Sequence, residues 1–153
     1  MREIKFRGKD KESGLWVYGS LWVQSEHSIL IHSEDGWNIV YPETVGQFTG
    51  LHDKNSVEIF EGDIIKSNWH NFKKEYIGQN YEIKFGKWWH SGDWEDSYGG
   101  IGFYAQPISN NADYEDNEPY SADNIPCNTN NEEMYDIEVI GNIHEAQLRT
   151  TKN

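Results

Sequence analysis

Cysteine is nearly missing from this 153-residue chain: Cys127 stands alone, so no disulfide can form within it. That usage fits a reducing compartment, and we expect the protein in the cytoplasm. Long apolar runs are missing as well. None approaches the roughly 20 residues that a membrane-spanning helix needs, so no membrane association is expected. Met1-Arg2-Glu3-Ile4 runs directly into a strand pattern, so no signal peptide is expected either. Basic residues are few, 13 Lys and Arg against 26 Asp and Glu, for a formal net charge of −13. Such a field repels a phosphate backbone, and direct nucleic-acid binding is not expected. Arg2, Lys5, Arg7, Lys9 and Lys11 do gather near the start, but Glu3, Asp10 and Glu12 interleave with them. Strong helix formers are scarce: Ala and Leu are rare. Catalytic signatures are missing too. There is no Gly-x-Ser-x-Gly, no phosphate loop and no Cys-x-x-Cys. We assign no catalytic residue, expect no cofactor, and read Cys127, beside Pro126 in a polar stretch, as inert.

What the chain does have is aromatic residues, 14% of the total, with seven Trp and nine Tyr. Flat rings suit the pleated surface of a sheet. Residues 3–7 alternate polar and apolar, the mark of a half-buried strand. Residues 15–24 carry apolar bulk on both faces: Leu15, Val17, Leu21 and Val23 on one, Trp16, Tyr18 and Trp22 on the other. That pattern suggests a strand between two layers. Residues 28–32 and 37–41 read as a hairpin turned at Asp35-Gly36. Further strands are expected over 45–50, 57–60, 63–67, 81–85, 101–108 and 135–143. Residues 109–133 hold seven Asn, seven Asp or Glu and two Pro, and read as a long polar loop or insertion. Residues 146–153 read as a C-terminal tail with at most one helical turn. Short strands between turn signals, without βα alternation, predict a mainly β protein. We expect a single domain over 1–145, built as a small SH3-like barrel with additional strands and the polar insertion.

Three segments are more specific than composition. The first is Arg2-Glu3-Ile4-Lys5-Phe6-Arg7-Gly8-Lys9, followed by Trp16-Val17-Tyr18-Gly19-Ser20-Leu21. The second is Val45-Gly46-Gln47-Phe48-Thr49-Gly50-Leu51-His52-Asp53-Lys54-Asn55, continuing as Glu58-Ile59-Phe60-Glu61-Gly62-Asp63-Ile64-Ile65. The third is Ile137-Glu138-Val139-Ile140-Gly141-Asn142-Ile143-His144-Glu145. In order and spacing they resemble the YopX family of phage and prophage proteins of Gram-positive bacteria, from residue 2 to about 145. The resemblance implies an SH3-barrel-like β fold and a phage-associated origin. It implies no reaction, and it carries over no catalytic residue. Two positions depart from the family pattern. Ser56 stands where the family usually has Gly, and Ala146-Gln147 replaces the usual Asn-Pro. A non-Gly residue at a left-handed turn position is strained. Gly50, Asp53, Gly62, Asp63 and Gly141 are read as structural motif residues: the Gly supplies a backbone angle and the Asp accepts nearby N–H groups.

Candidate chemistry concentrates in 88–104. Trp88, Trp89, Trp94, Tyr98 and Tyr104 offer flat faces that could bind a sugar or a cationic peptide, against the plainer reading of core and edge-strand rings. His90, Asp93 and Asp96, with His70 as a further donor, could offer nitrogen and oxygen ligands to a metal, against the plainer reading of solvated loop residues. His27, His32, His52 and His144 read as surface or hydrogen-bonded side chains. The leading expectation is a non-catalytic protein-interaction module, phage-encoded and acting in the host cytoplasm, which binds a protein partner or self-associates through a sheet edge or aromatic patch. Two alternatives are carried: an acidic DNA mimic that occupies a host nucleic-acid-binding protein, and a metal-dependent hydrolase built on His90.

Overall fold

A computed structural model describes residues 3–70, 76–90, 98–108, 120–121 and 136–148. The protein is mainly β, as the alternating pattern predicted, and its strands form two antiparallel sheets. No closed barrel occurs among the described residues, and no helix there is long and apolar enough to cross a membrane. The chain divides into two compact units, Met1–Leu51 and His52–Asn153.

The first unit contains β1 (Phe6–Lys9), β2 (Trp16–Ser25), β3 (Ser28–Ser33), β4 (Gly36–Val40), a 3-10 turn (Pro42–Thr44) and nearly all of β5 (Gly46–His52). These strands lie in the order β4-β3-β2-β1-β5. Period-two alternation turns Ile31 and Val40 inward, where both are fully buried. Gly8 lies against them: a Cβ there would stand 3.0 Å from that of Val40. The sheet coils strongly. Val40 at the end of β4 bridges to Asp10 at the end of β1. The Tyr41 N–H donates to the Lys9 carbonyl (2.9 Å) and the Lys11 N–H to the Ile39 carbonyl (2.8 Å). Thr44 holds this closure, because its hydroxyl accepts from the Lys9 N–H (2.8 Å) and donates to the Tyr41 carbonyl (2.7 Å). The hairpin between β3 and β4 turns one residue earlier than Asp35-Gly36. Ser33 pairs with Gly36, so Glu34 and Asp35 form the loop and Gly36, at φ 117°, starts the strand.

The second unit contains β6 (Glu58–Phe60), β7 (Asp63–His70), β8 (Tyr76–His90), β9 (Tyr98–Ile108), β10 (Tyr120–Ser121), β11 (Asp136–Asn142) and a short helix, α1 (Ile143–Leu148). Its sheet runs β10-β9-β8-β7-β11. Register places Ile65, Ile83, Phe103, Ala105 and Ile137 on one face, all buried. The other face carries Lys66, Glu82, Lys84, Gln106 and Glu138, with a Lys84–Glu82 pair at 3.2 Å. This is the alternation of an antiparallel sheet with one face buried, although farther along that face Phe85 and Ile101 are exposed. Each buried aliphatic or Phe side chain contributes about 1.5–3 kcal/mol of transfer free energy. Several boundaries differ from the expected ones. β1 covers Phe6–Lys9 rather than 3–7, and β7 reaches His70 rather than Ser67. β8 is 15 residues long rather than five, and its mate β9 begins at Tyr98. Ile143, expected to end the last strand, instead opens the helix that continues through His144 and Glu145. Within the polar stretch 109–133, Tyr120 and Ser121 pair with Ala105 and Tyr104.

Candidate functional site

Strand β2 was expected between two layers. Instead its aromatic face meets solvent. Tyr18, Ser20 and Trp22 alternate along that face, and register sets Ser20 beside His32 and Trp22 beside Leu30. On β4, Trp37 stands opposite His32 and Ile39 opposite Leu30. Trp22 is 58% exposed and Trp37 55%. The two rings meet edge to face, centroids 5.9 Å apart at 82°. The His32 ring lies 4.6 Å from that of Trp37. An edge-to-face pair contributes about 0.5–1.5 kcal/mol, so these rings are held in place before anything touches them. Ile39 and Tyr18 extend the surface. The sequence reading placed binding at 88–104 and left Trp22, His32 and Trp37 without a role. The available signal was the doubly apolar β2 pattern: a strand with bulk on both faces in a small domain has one face left uncovered.

Nearer β1 the same surface becomes a platform for cations. The Arg7 guanidinium carbon lies 4.7 Å from the Trp16 ring centroid and the Lys9 ammonium 5.2 Å from it. Both cationic side chains belong to buried residues. An aromatic face compensates part of what burial of a positive group costs.

The motif residues of the second unit gather into a clasp. Asp53, which is buried, accepts from the N–H groups of Asn55 (2.7 Å) and Val57 (2.9 Å) on one carboxylate oxygen. Its other oxygen accepts from the N–H of Val139 on β11 (3.1 Å). The Lys54 N–H donates to the Ile137 carbonyl (3.0 Å), and the Lys54 side chain pairs with Glu138 (2.9 Å). Burial disfavours the charge on Asp53, but the three N–H groups and neighbouring Lys54 outweigh it and hold the carboxyl below its ordinary value. Asp63, 1% exposed, accepts from the Phe60 N–H (2.8 Å) and the Asn142 side-chain amide (3.3 Å). Asn142 in turn accepts from the His144 N–H (2.9 Å) and so caps α1. Gly62 adopts φ 84°, which lets its N–H reach the Ile83 carbonyl (2.8 Å) while its own carbonyl accepts from Ile143 (3.0 Å). Gly141 marks a register shift in β11, and Gly50, at φ 89°, lies within β5. Ser56 sits at φ 64°. It follows a turn in which its N–H donates to the Asp53 carbonyl (2.9 Å). This is the left-handed position where the departure from Gly was expected to tell.

The residues expected to bind in 88–104 do not share one face. Trp88 and Tyr104 occupy the polar side of the β8–β9 pair, and Trp89, 58% exposed, the opposite side. Trp88 stands opposite Gly100 and Trp89 opposite Gly99. A Cβ on Gly99 would come within 2.7 Å of the Trp89 ring, so the glycine permits the ring to lie across the strand. Tyr98 pairs with His90 at the backbone, and the side chains of both lie outside what the structure describes, as do Trp94, Asp93, Asp96 and the side chain of His70. Among the described residues, no three His, Cys, Asp or Glu side chains group as metal ligands would.

Compared with known proteins, a family model described as YopX protein matches residues 5–148. No curated protein matches the chain.

Proposed function

The chain belongs to the YopX family, and on that premise we propose that it is a non-catalytic protein-interaction module whose docking surface is the outer face of the first unit. The observation that supports this is the exposed, pre-packed pair Trp22–Trp37, continued by Tyr18 and Ile39. A contiguous exposed apolar face commonly marks an interaction site, and Trp and Tyr are among the side chains most enriched at binding hot spots. The carboxylates Asp53 and Asp63 also support it. Both are engaged by N–H donors, a structural use within the fold. On this reading the protein acts in the cytoplasm of a bacterium that carries the phage or prophage, which suits its single cysteine.

A photo-reactive amino acid placed at position 39, beside the tryptophan pair, tests the proposal in cells. We expect one discrete protein adduct at 39 and none at Glu12, which is also exposed but lies off the aromatic face. Equal, diffuse labelling at the two positions would contradict the proposal.

A further inference from the structure

A groove of about 680 Å³ opens on the first unit, next to the aromatic face. Its lining includes Trp16 and Tyr18 of β2, His32 at the end of β3, and the carboxylates of Glu3, Glu34 and Asp35. The volume lies within the range of clefts that take a side chain with its flanking backbone. Three carboxylates face one lysine in this lining. That lysine, Lys5, lies 3.9 Å from Glu3 and 5.4 Å from the Phe48 ring centroid. The lining residues therefore carry a net negative charge, with Arg7 and Lys9 held against Trp16 beside them. Glu34 and Asp35 are exposed at the tip of the β3–β4 hairpin.

The adjoining strand shows what such a surface accepts. Arg7 and Lys9 both lie over Trp16. Tyr18 is the next outward residue along β2, directly across from Arg7, and is 44% exposed. Aromatic faces bind guanidinium and ammonium groups within about 6 Å of the ring centroid. The lining carboxylates draw such a group in from roughly a Debye length away. A phosphate-bearing ligand would be repelled by the same carboxylates.

Resting on the interaction-module reading above, we propose that this groove receives an arginine or lysine side chain from an extended, basic segment of the partner protein. Tyr18 stacks on the cation, Glu34 and Asp35 neutralise it, and the Trp22–Trp37 face takes the apolar residues that follow.

The test is a calorimetric titration of the full chain with an octapeptide of alternating Arg and Gly, beside a matched Glu–Gly peptide. The Arg–Gly peptide is expected to bind saturably and to weaken with added salt, while the Glu–Gly peptide stays silent. The double variant E34Q/D35N should keep its melting temperature and raise the Kd about tenfold, the combined effect of two exposed charge pairs. E12Q/E26Q, which removes two exposed carboxylates outside the groove, should leave the Kd unchanged. No binding, equal binding of both peptides, or equal losses in the two double variants would overturn the proposal. A discrete adduct at position 39 alongside a silent peptide would reject the basic segment while leaving the interaction module standing. Loss of both would reject the two together.

Discussion

The two units each tie a turn to a strand remote in sequence, but with different chemistry. In the first unit the tie is neutral. The Thr44 hydroxyl joins the 3-10 turn to β1 across 35 residues. In the second it is ionic. The Asp53 carboxylate reaches β11 across 86 residues, and Asp63 reaches Asn142 across 79. The overall charge follows the same division. Residues 1–51 hold five basic and seven acidic side chains, and residues 52–153 hold eight and nineteen. Most of the protein's acidity thus belongs to the unit whose folding already uses carboxylates. The nearly neutral unit is the one with the exposed aromatic face. A negative net charge, read alone, suggested mimicry of a nucleic acid. Divided between the units, it carries less weight than the surface of the smaller one.

The largest expected effect falls on the ionic tie. Asp53→Ala leaves three N–H groups without their charged acceptor and should cost about 3 kcal/mol. Denaturant unfolding would measure it, with hydrogen exchange at Val139 accelerating most. The same carboxylate makes acid selective between the units. Its pKa is lowered in the folded state, so its contribution is present at neutral pH and is lost as pH falls below the ordinary carboxylate range through the lowered value. Asp10 of the first unit is also held low, chiefly by the backbone N–H and the hydroxyl of Ser13. Its partners are all local to one turn, so its protonation loosens that turn and not a sheet. Exchange measured by NMR during an acid titration should show amides of β11 opening before those of β1 and β4. The reverse order would break the comparison.

A smaller effect is expected at the neutral tie. Thr44→Val removes the acceptor for a buried Lys9 N–H and should cost about 1–2 kcal/mol, seen as faster exchange at Lys9 and Tyr41. The smallest is a gain. Ser56→Gly relieves a left-handed backbone worth about 1–2 kcal/mol, offset by about 0.4–1 kcal/mol of added freedom in the unfolded chain. A rise in melting temperature of a few degrees is expected, and a fall would refute the reading of that turn.

Much of the fold was legible because burial has a period of two. Residues 81–85 were recognisable from that alternation, residues 28–32 from a short apolar run, and Gly62-Asp63 from the turn chemistry that Gly and Asp share. The long β8–β9 hairpin was not. Gly99 and Gly100 look like loop residues when read along the chain, and only the folded pair shows Gly99 as the room that Trp89 needs. The helix at Ile143 was hidden because its cap, Asn142, ends a β pattern. The aromatic face was legible only in part. Sequence showed that β2 had two apolar faces, but which face stays open depends on the strands beside it. Trp22 and Trp37 lie 15 residues apart, and only the folded hairpins bring them into contact.

One experiment separates folding from docking across the two units: melting temperature and cross-linking from position 39, measured together on Asp53→Asn and on Trp22→Ser/Trp37→Ser, well below the melting point. The account predicts that Asp53→Asn melts lower yet still captures the partner, while the tryptophan double variant melts within a few degrees of the parent and captures none. Capture lost in Asp53→Asn at an unchanged melting temperature, or retained in the double variant, would contradict it.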